Sequence, residues 1–512
     1  MMRHPILSAV LLAVAIPSAA SAGRVTVEEA SIDALQAQMT AHRASSVALT
    51  RAYLARIAAM DRKGPALASV IALNPDALAQ AKALDTERKA GRVRGPLHGV
   101  PLLIKDNIET ADRTATTAGS LALAGNVTAR DAPLVAALRR AGAVILGKTN
   151  LSEWANIRST HSMSGWSATG GLVRNPYALD RTACGSSSGS GAAVAASFAA
   201  AAVGTETDGS VVCPSSVNGL VGLKPTLGLI DGARIVPISH SQDTPGPMAR
   251  SVRDAALLLD ATTGGTHAFA AGLSAGALSG VRVGVIRPKD LRPDLAARFD
   301  AAIDVLRAAG AVPVAVVMPD LDGLGAAEQL VLETELKADL DAYLATTPPA
   351  VTTRTLAEVI AFNRAHAAEE MPYFAQEFFE AAVKTRGLDD PAYKAARATS
   401  LRLAGRQGID AMLAKAGARL LVAPTYGAAW LSDPVYGDQY DGPSAATLPA
   451  VAGYPHLTVP MGLVRGLPVG LSFIATKGAD ATVLGAGYAY EQRAHARVAP
   501  RYLPRTEGRT ER

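Results

Sequence analysis

The chain has 512 residues, 49% of them hydrophobic and 19% charged, and carries a formal net charge of +5. Such a composition excludes a disordered chain and supplies a large buried core. So small a basic excess, with no lysine or arginine block, gives no footprint for a nucleic-acid partner.

The first residues read as a secretory leader. MMRHP carries positive charge, ILSAVLLAVAI is apolar, and PSAASA is a tail of small residues. That order predicts a signal peptide over 1–22, cleaved after Ala22, and an exported chain of 23–512. The apolar run is shorter than the roughly 20 residues of a membrane span. No later run is long and unbroken enough to serve, so no stable span is expected after the leader is removed.

Apolar residues recur at spacings of three and four from 27 to about 62, which predicts helix. HGVPLLIKD (98–106) reads as a strand ending in a lysine. RDAPLVAALRRAG reads as a helix closed by Gly142, and AVILGKT as the strand after it. A Gly/Ser/Asn-rich loop over about 158–191 leads into AAVAASFAAAAV (192–203), read as an alanine-rich helix. PISHSQDTPGPMARSVRDAALLLD reads as a loop entering a helix. VRVGVI (281–286) is a buried-strand candidate, and 295–420 are mostly helical. RLLVAPT, HLTVP and LPVGLSFIA are late strands. Alternating helix and apolar strand predicts an α/β layer fold. With no internal repeat and no low-complexity linker, a single large domain is expected.

The chemistry is less plain. Only two cysteines occur, Cys184 and Cys213, and the sequence leaves open whether they pair. No metal-ligand spacing such as H-E-x-x-H or C-x-x-C appears, so no metal and no cofactor are expected. CGSSSGSG (184–191) lacks the lysine of a phosphate loop. Its G-S-S-S-G matches a nucleophile elbow centred on Ser187, yet no apolar strand precedes it and no histidine stands in an acid–histidine motif. A third reading joins this loop to Ser210 in GTETDGS and to Lys105. A serine hydroxyl needs a base, and a lysine serves only when burial keeps it neutral. Lys105 and Lys148 both end apolar runs. Residue type alone does not choose between them, nor against solvated lysines with buried stems.

The ordered set GVPLLIKDNIET, GKTNLSEW, CGSSSG, GTETDGS, GLVGLKPT, PGPMARSV and GLPVGLSFI resembles the amidase signature family. The likeness runs from about residue 29 to 495, and GTETDGS…CP with GWSA is similar to bacterial exported peptide amidases. It implies a single α/β/α domain, a mixed sheet covered by helices on both faces. Matched residue by residue, it implies Ser210 as nucleophile and Ser186, after a cis peptide bond, as bridging serine. Lys105 matches the general base and Lys148 a motif lysine that is not the base. Backbone N–H groups of Thr207, Asp208 and Gly209 would hold the oxyanion. The expected reaction is carboxamide hydrolysis with release of ammonia, by a monomer or homodimer acting on a small-molecule or peptide amide. Two departures stand out. Glu206 and Asp208 replace the family's Asp and Gly, and Val212 replaces an Arg that holds acid groups in carboxylate-binding members. Rival readings are a binding protein with a relic site, an α/β hydrolase using Ser187 and a histidine, and one component of an amidotransferase.

Overall fold

The computed structural model describes residues 25–506, so the leader expected at 1–22 lies outside the described residues. The apolar runs become strands: β1 (Val70–Leu73), β2 (Pro101–Lys105), β3 (Val144–Thr149), β4 (Trp166–Ser167), β5 (Gly171–Leu172), β6 (Ala201–Glu206), β7 (Val221–Lys224), β8 (Thr244–Ala249), β9 (Arg282–Ile286), β10 (Val312–Val316), β11 (Leu420–Pro424), β12 (His456–Val464) and β13 (Leu467–Ile474). Eleven form one sheet in the order β1-β3-β2-β6-β8-β7-β12-β13-β11-β9-β10, and β4 pairs with β5 apart from it. The sheet is mixed. β2 runs parallel to β3 and β6, and β9 to β10 and β11, while the other neighbours are antiparallel.

Every residue of β2, β3, β6, β7, β8, β11 and β13 is buried. A strand buried on both faces needs cover on both. Helices Pro133–Arg140, Val252–Thr262, Asp480–Ala494 and Pro293–Ala308 touch one another in that order as one row, and Ser188–Ala195 packs against Val212–Val217 in another group. Among the described residues no helix is long and apolar enough to cross a membrane. The two ends of the described chain meet. Arg497 pairs with Glu29 at 2.7 Å, and Leu179 donates its N–H to the carbonyl of Leu503 at 2.8 Å.

Three stretches depart from the sequence reading. The helical stretch expected from 27 to about 62 is broken into two helices, Ile32–Thr40 and Ser46–Met60; Ser45 caps the second by accepting the Ala48 N–H at 3.1 Å. The alanine-rich helix stops at Ala195, and Ala201–Val203 belong to β6, between β2 and β8. Alanine's helix preference is worth only tenths of a kcal/mol per residue, about what a buried ladder position overrides. The expected loop at 244–249 is β8, although Pro245 and Pro247 stand in it. Residues two apart point their N–H positions at the same neighbour, so both missing donors fall on one side and the other ladder survives.

Candidate active site

β2 and β6 lie side by side: Lys105 closes β2, while Thr205 and Glu206 close β6. Lys105 is not a solvated lysine with a buried stem, since the whole side chain has no exposed surface. Its Nζ lies 2.7 Å from Ser186 Oγ, 2.8 Å from Thr205 Oγ1 and 3.2 Å from the Thr205 carbonyl. Burial pushes the ammonium down to about 7, against the opposing charges of Asp243 and Glu206. Asn107 donates its side-chain N–H to Thr205 Oγ1 at 3.0 Å.

Ser186 follows a cis peptide bond with Gly185. Its carbonyl accepts the Ser152 N–H at 3.0 Å, and the next N–H, of Ser187, donates to the Ser210 carbonyl at 3.1 Å. Gly185 has room for no side chain, because a Cβ there would sit 2.1 Å from Ser152 Oγ. Ser210 is 8% exposed, on the turn between β6 and the helix Val212–Val217. Glu206 sets that turn. Its carboxylate accepts the N–H groups of Val211 at 2.7 Å and Val212 at 2.9 Å, a negative group at a helix N-terminus. Burial raises the Glu206 carboxyl above its ordinary range, opposed chiefly by Lys224. The positive φ in the turn falls on Gly209, at 80°, not on Asp208. Burial and the neighbouring charge of Glu328 push the Asp208 carboxyl well up.

Lys148 is equally buried but elsewhere. It donates to the Ile108 carbonyl at 2.7 Å and to Thr116 Oγ1 at 2.8 Å, with Asp106 at 3.8 Å. Ser187 is not an exposed elbow. Its hydroxyl donates to the Thr205 carbonyl at 3.0 Å and accepts the Thr205 N–H at 3.2 Å. Buried His456 is pushed down to about 3 by burial and by Lys224, so it stays neutral. An acid–histidine arrangement does exist at the surface. His240 Nδ1 lies 2.9 Å from Asp339, with Glu335 beside it. These three have ligand atoms within 4.8 Å of one another, but Glu335 is already taken by Tyr393 at 2.7 Å.

Sequence reasoning missed Thr205, Asn107, Ser152 and Asp243. The first two stand inside quoted motifs, GTETDGS and KDN; Ser152 and Asp243 were signalled only by GKTNLSEW and SHSQDTPGPMAR, whose spacing says nothing about contact. A cleft of about 420 Å³ opens beside the lysine, lined by Asn107, Thr205, Thr207, Asp243 and the apolar run Ile235–Ile238. Thr207 Oγ1 donates to Asp243 at 2.6 Å on its wall. The aromatics of 430–440 pack on each other, Trp430 against Tyr440 at 4.7 Å between centroids, while Tyr436 is exposed.

Known proteins resemble the chain over most of its length. The Amidase family model matches residues 48–484. The chain is 50% identical to the peptide amidase of Stenotrophomonas maltophilia, solved by X-ray crystallography, with a TM-score of 0.87 over 93% of this chain and 99% of that one. It is 35% identical to a "Probable amidase" of Arabidopsis thaliana, covering 93% of this chain and 92% of that protein. It is also 35% identical to one component of the glutamyl-tRNA(Gln) amidotransferase of Thermobifida fusca, over 89% of this chain and 94% of that one. The chain belongs to the amidase family and is a hydrolase acting on amide bonds.

Proposed function

We propose that the protein hydrolyses the C-terminal carboxamide of peptides through a Lys105–Ser186–Ser210 relay and an acyl-enzyme. The observation that carries the relay is the buried lysine 2.7 Å from Ser186 Oγ. A neutral amine has two N–H groups and one lone pair. The Thr205 carbonyl takes one N–H, since it only accepts. Thr205 Oγ1, already accepting from Asn107, takes the other. The lone pair is left facing the Ser186 hydroxyl, which is the arrangement of a base.

In the proposed cycle Lys105 takes the Ser186 proton as Ser186 takes that of Ser210. Ser210 Oγ then bonds to the amide carbon. The oxyanion is held by N–H groups of Thr207, Asp208 and Gly209, each worth on the order of 3 kcal/mol. Collapse breaks the C–N bond, and the proton returns through Ser186 to the leaving nitrogen, which departs as ammonia. Water then attacks the ester by the same route and restores both serines.

The 50% identity to a peptide amidase supports the peptide-amide substrate over the amidotransferase reading, whose relative stands at 35%. Val212, buried where carboxylate-binding members carry arginine, speaks against small free-acid substrates. Small aliphatic, aryl and fatty amides are the alternatives. Export belongs to the same proposal: it rests on the leader in the sequence, and a Cys184–Cys213 disulfide suits an oxidising compartment. The test is ammonia release from amidated di- and tripeptides, an amino-acid amide, a fatty amide and glutamine, by wild type and Ser210→Ala. Release from the peptide amides that vanishes in the variant is expected. Activity surviving Ser210→Ala sinks the relay, and preference for another amide replaces the substrate.

A further inference from the structure

The two serine-bearing segments are joined twice. One link is the backbone bond from Ser187 N–H to the Ser210 carbonyl. The other is covalent: Cys184, two residues before Ser186, is bonded to Cys213, three residues after Ser210, with Cα atoms 6.0 Å apart. Both cysteines are buried, at 5% and 1% exposure. The bridge is not a clip on a loose surface loop. It packs with Val217, Ala429, Tyr426 and Trp430. Asn218 ties the same two segments again, donating to the Ala183 carbonyl at 3.0 Å and the Pro214 carbonyl at 2.7 Å.

We propose that the Cys184–Cys213 disulfide is a positioning element of the reaction, setting the separation of the Ser186 and Ser210 hydroxyls. The inference rests on the relay proposed above. Proton transfer between two hydroxyls works only at hydrogen-bond reach, and a misplacement of about 1 Å costs about a hundredfold in rate. Without the bridge, the Cys184–Ser186 segment is held to the Ser210 turn only by hydrogen bonds and by the packing of Ser188–Ala195 on Val212–Val217. Neither cysteine lines the cleft beside Lys105, so breaking the bridge leaves its walls in place. The disulfide therefore acts on kcat and leaves KM nearly untouched.

The experiment measures kcat and KM on an amidated dipeptide for wild type, Cys184→Ala, Cys213→Ala, the double variant and Ser210→Ala. Circular dichroism and melting temperature report folding. In parallel, wild type is reduced with dithiothreitol until both thiols are counted, assayed, and re-oxidised. In that step the dithiol gives two electrons and two protons to the S–S bond and closes to its own cyclic disulfide. The expected result is a tenfold or larger fall in kcat with KM within about threefold. The two single variants and the double should lose equally, because each breaks the same bond. Re-oxidation should restore the rate. A folded, bridge-free enzyme with kcat within twofold of wild type overturns the inference while Ser210→Ala, inactive, leaves the relay standing. A change confined to KM overturns it too, and a chain that unfolds without the bridge assigns the bond to folding instead. Ser210→Ala at wild-type rate removes the relay and the inference with it.

Discussion

The sharpest consequence of a buried lysine is its pH dependence. An ordinary lysine near 10.5 is neutral in roughly one molecule in three thousand at pH 7. Lys105, pushed down to about 7, is neutral in about half. The difference corresponds to about 5 kcal/mol. The sign follows from burial: the folded state binds the proton less well than the unfolded one. Folding therefore loses that stability in full below about pH 7 and regains it as pH rises toward 10.5. As the proposed base acts only when neutral, kcat should rise roughly tenfold between about pH 6 and pH 8 and then level. Asp243 and Asp106 are each pushed up to about 6 and titrate nearby, so the limb needs an owner. Asp243→Asn provides one. The Asn oxygen can accept the N–H groups of Ile238 and Ser239 while its NH2 donates to Thr207, which preserves the fold. Loss of the Asp243 charge lowers the lysine further, so the limb moves to lower pH. A limb belonging to Asp243 would vanish instead. Initial rates of ammonia release at saturating substrate, from pH 5 to 9, separate the cases. A flat profile in wild type, or a limb moving upward in Asp243→Asn, refutes the assignment of Lys105.

Ser187→Ala should keep kcat within about tenfold while Ser210→Ala loses a thousandfold or more, and the orphaned Thr205 N–H should cost about 1–3 kcal/mol in a denaturation titration. Gly209→Ala combines a φ of 80° with a Cβ 2.5 Å from Tyr426 Oη. Its kcat should fall at least tenfold, with partial recovery in Gly209→Ala/Tyr426→Phe, where that oxygen is gone. Arg158, fully buried, stands 3.2 Å from Glu153, bonds the Glu370 carbonyl at 2.7 Å and lies over Phe374. Arg158→Leu should lose about 3–5 kcal/mol by leaving buried carboxyls without their cation, read as a lower unfolding midpoint.

The site was more legible than the elements around it. Lys105, Ser186 and Ser210 all stand in quoted motifs, and the contact of Lys105 with Thr205 follows from β2 and β6 being neighbours, whereas Ser186 reaches the lysine from the loop before the helix Ser188–Ala195. What no motif announces is how a lysine is oriented. Thr205 does that with its hydroxyl and carbonyl, and spacing along a chain is blind to which atoms of a residue face a strand end. The strands were lost where local preference and tertiary demand disagree. β6 begins in alanines that favour helix, and β8 contains two prolines that argue against any strand. Burial on both faces outweighs both signals, and it is a property of the assembled sheet, not of the six residues. β10 was lost inside a long helical stretch because VPVAV, at the sheet edge, has no fully buried residue to mark it.

The pairing of Glu29 with Arg497 joins positions 468 residues apart. The sheet repeats the pattern on a smaller scale, with β7 bonded to β12 near its middle. Such contacts raise the contact order, and folding slows as contact order rises because loops must close before their contacts form. A chain leaving the ribosome cannot complete this sheet until β12 and β13 have emerged, nor pair Glu29 with Arg497 until nearly all of it has been made. Slow closure leaves the sheet unfinished until the chain's last strands are available to join it.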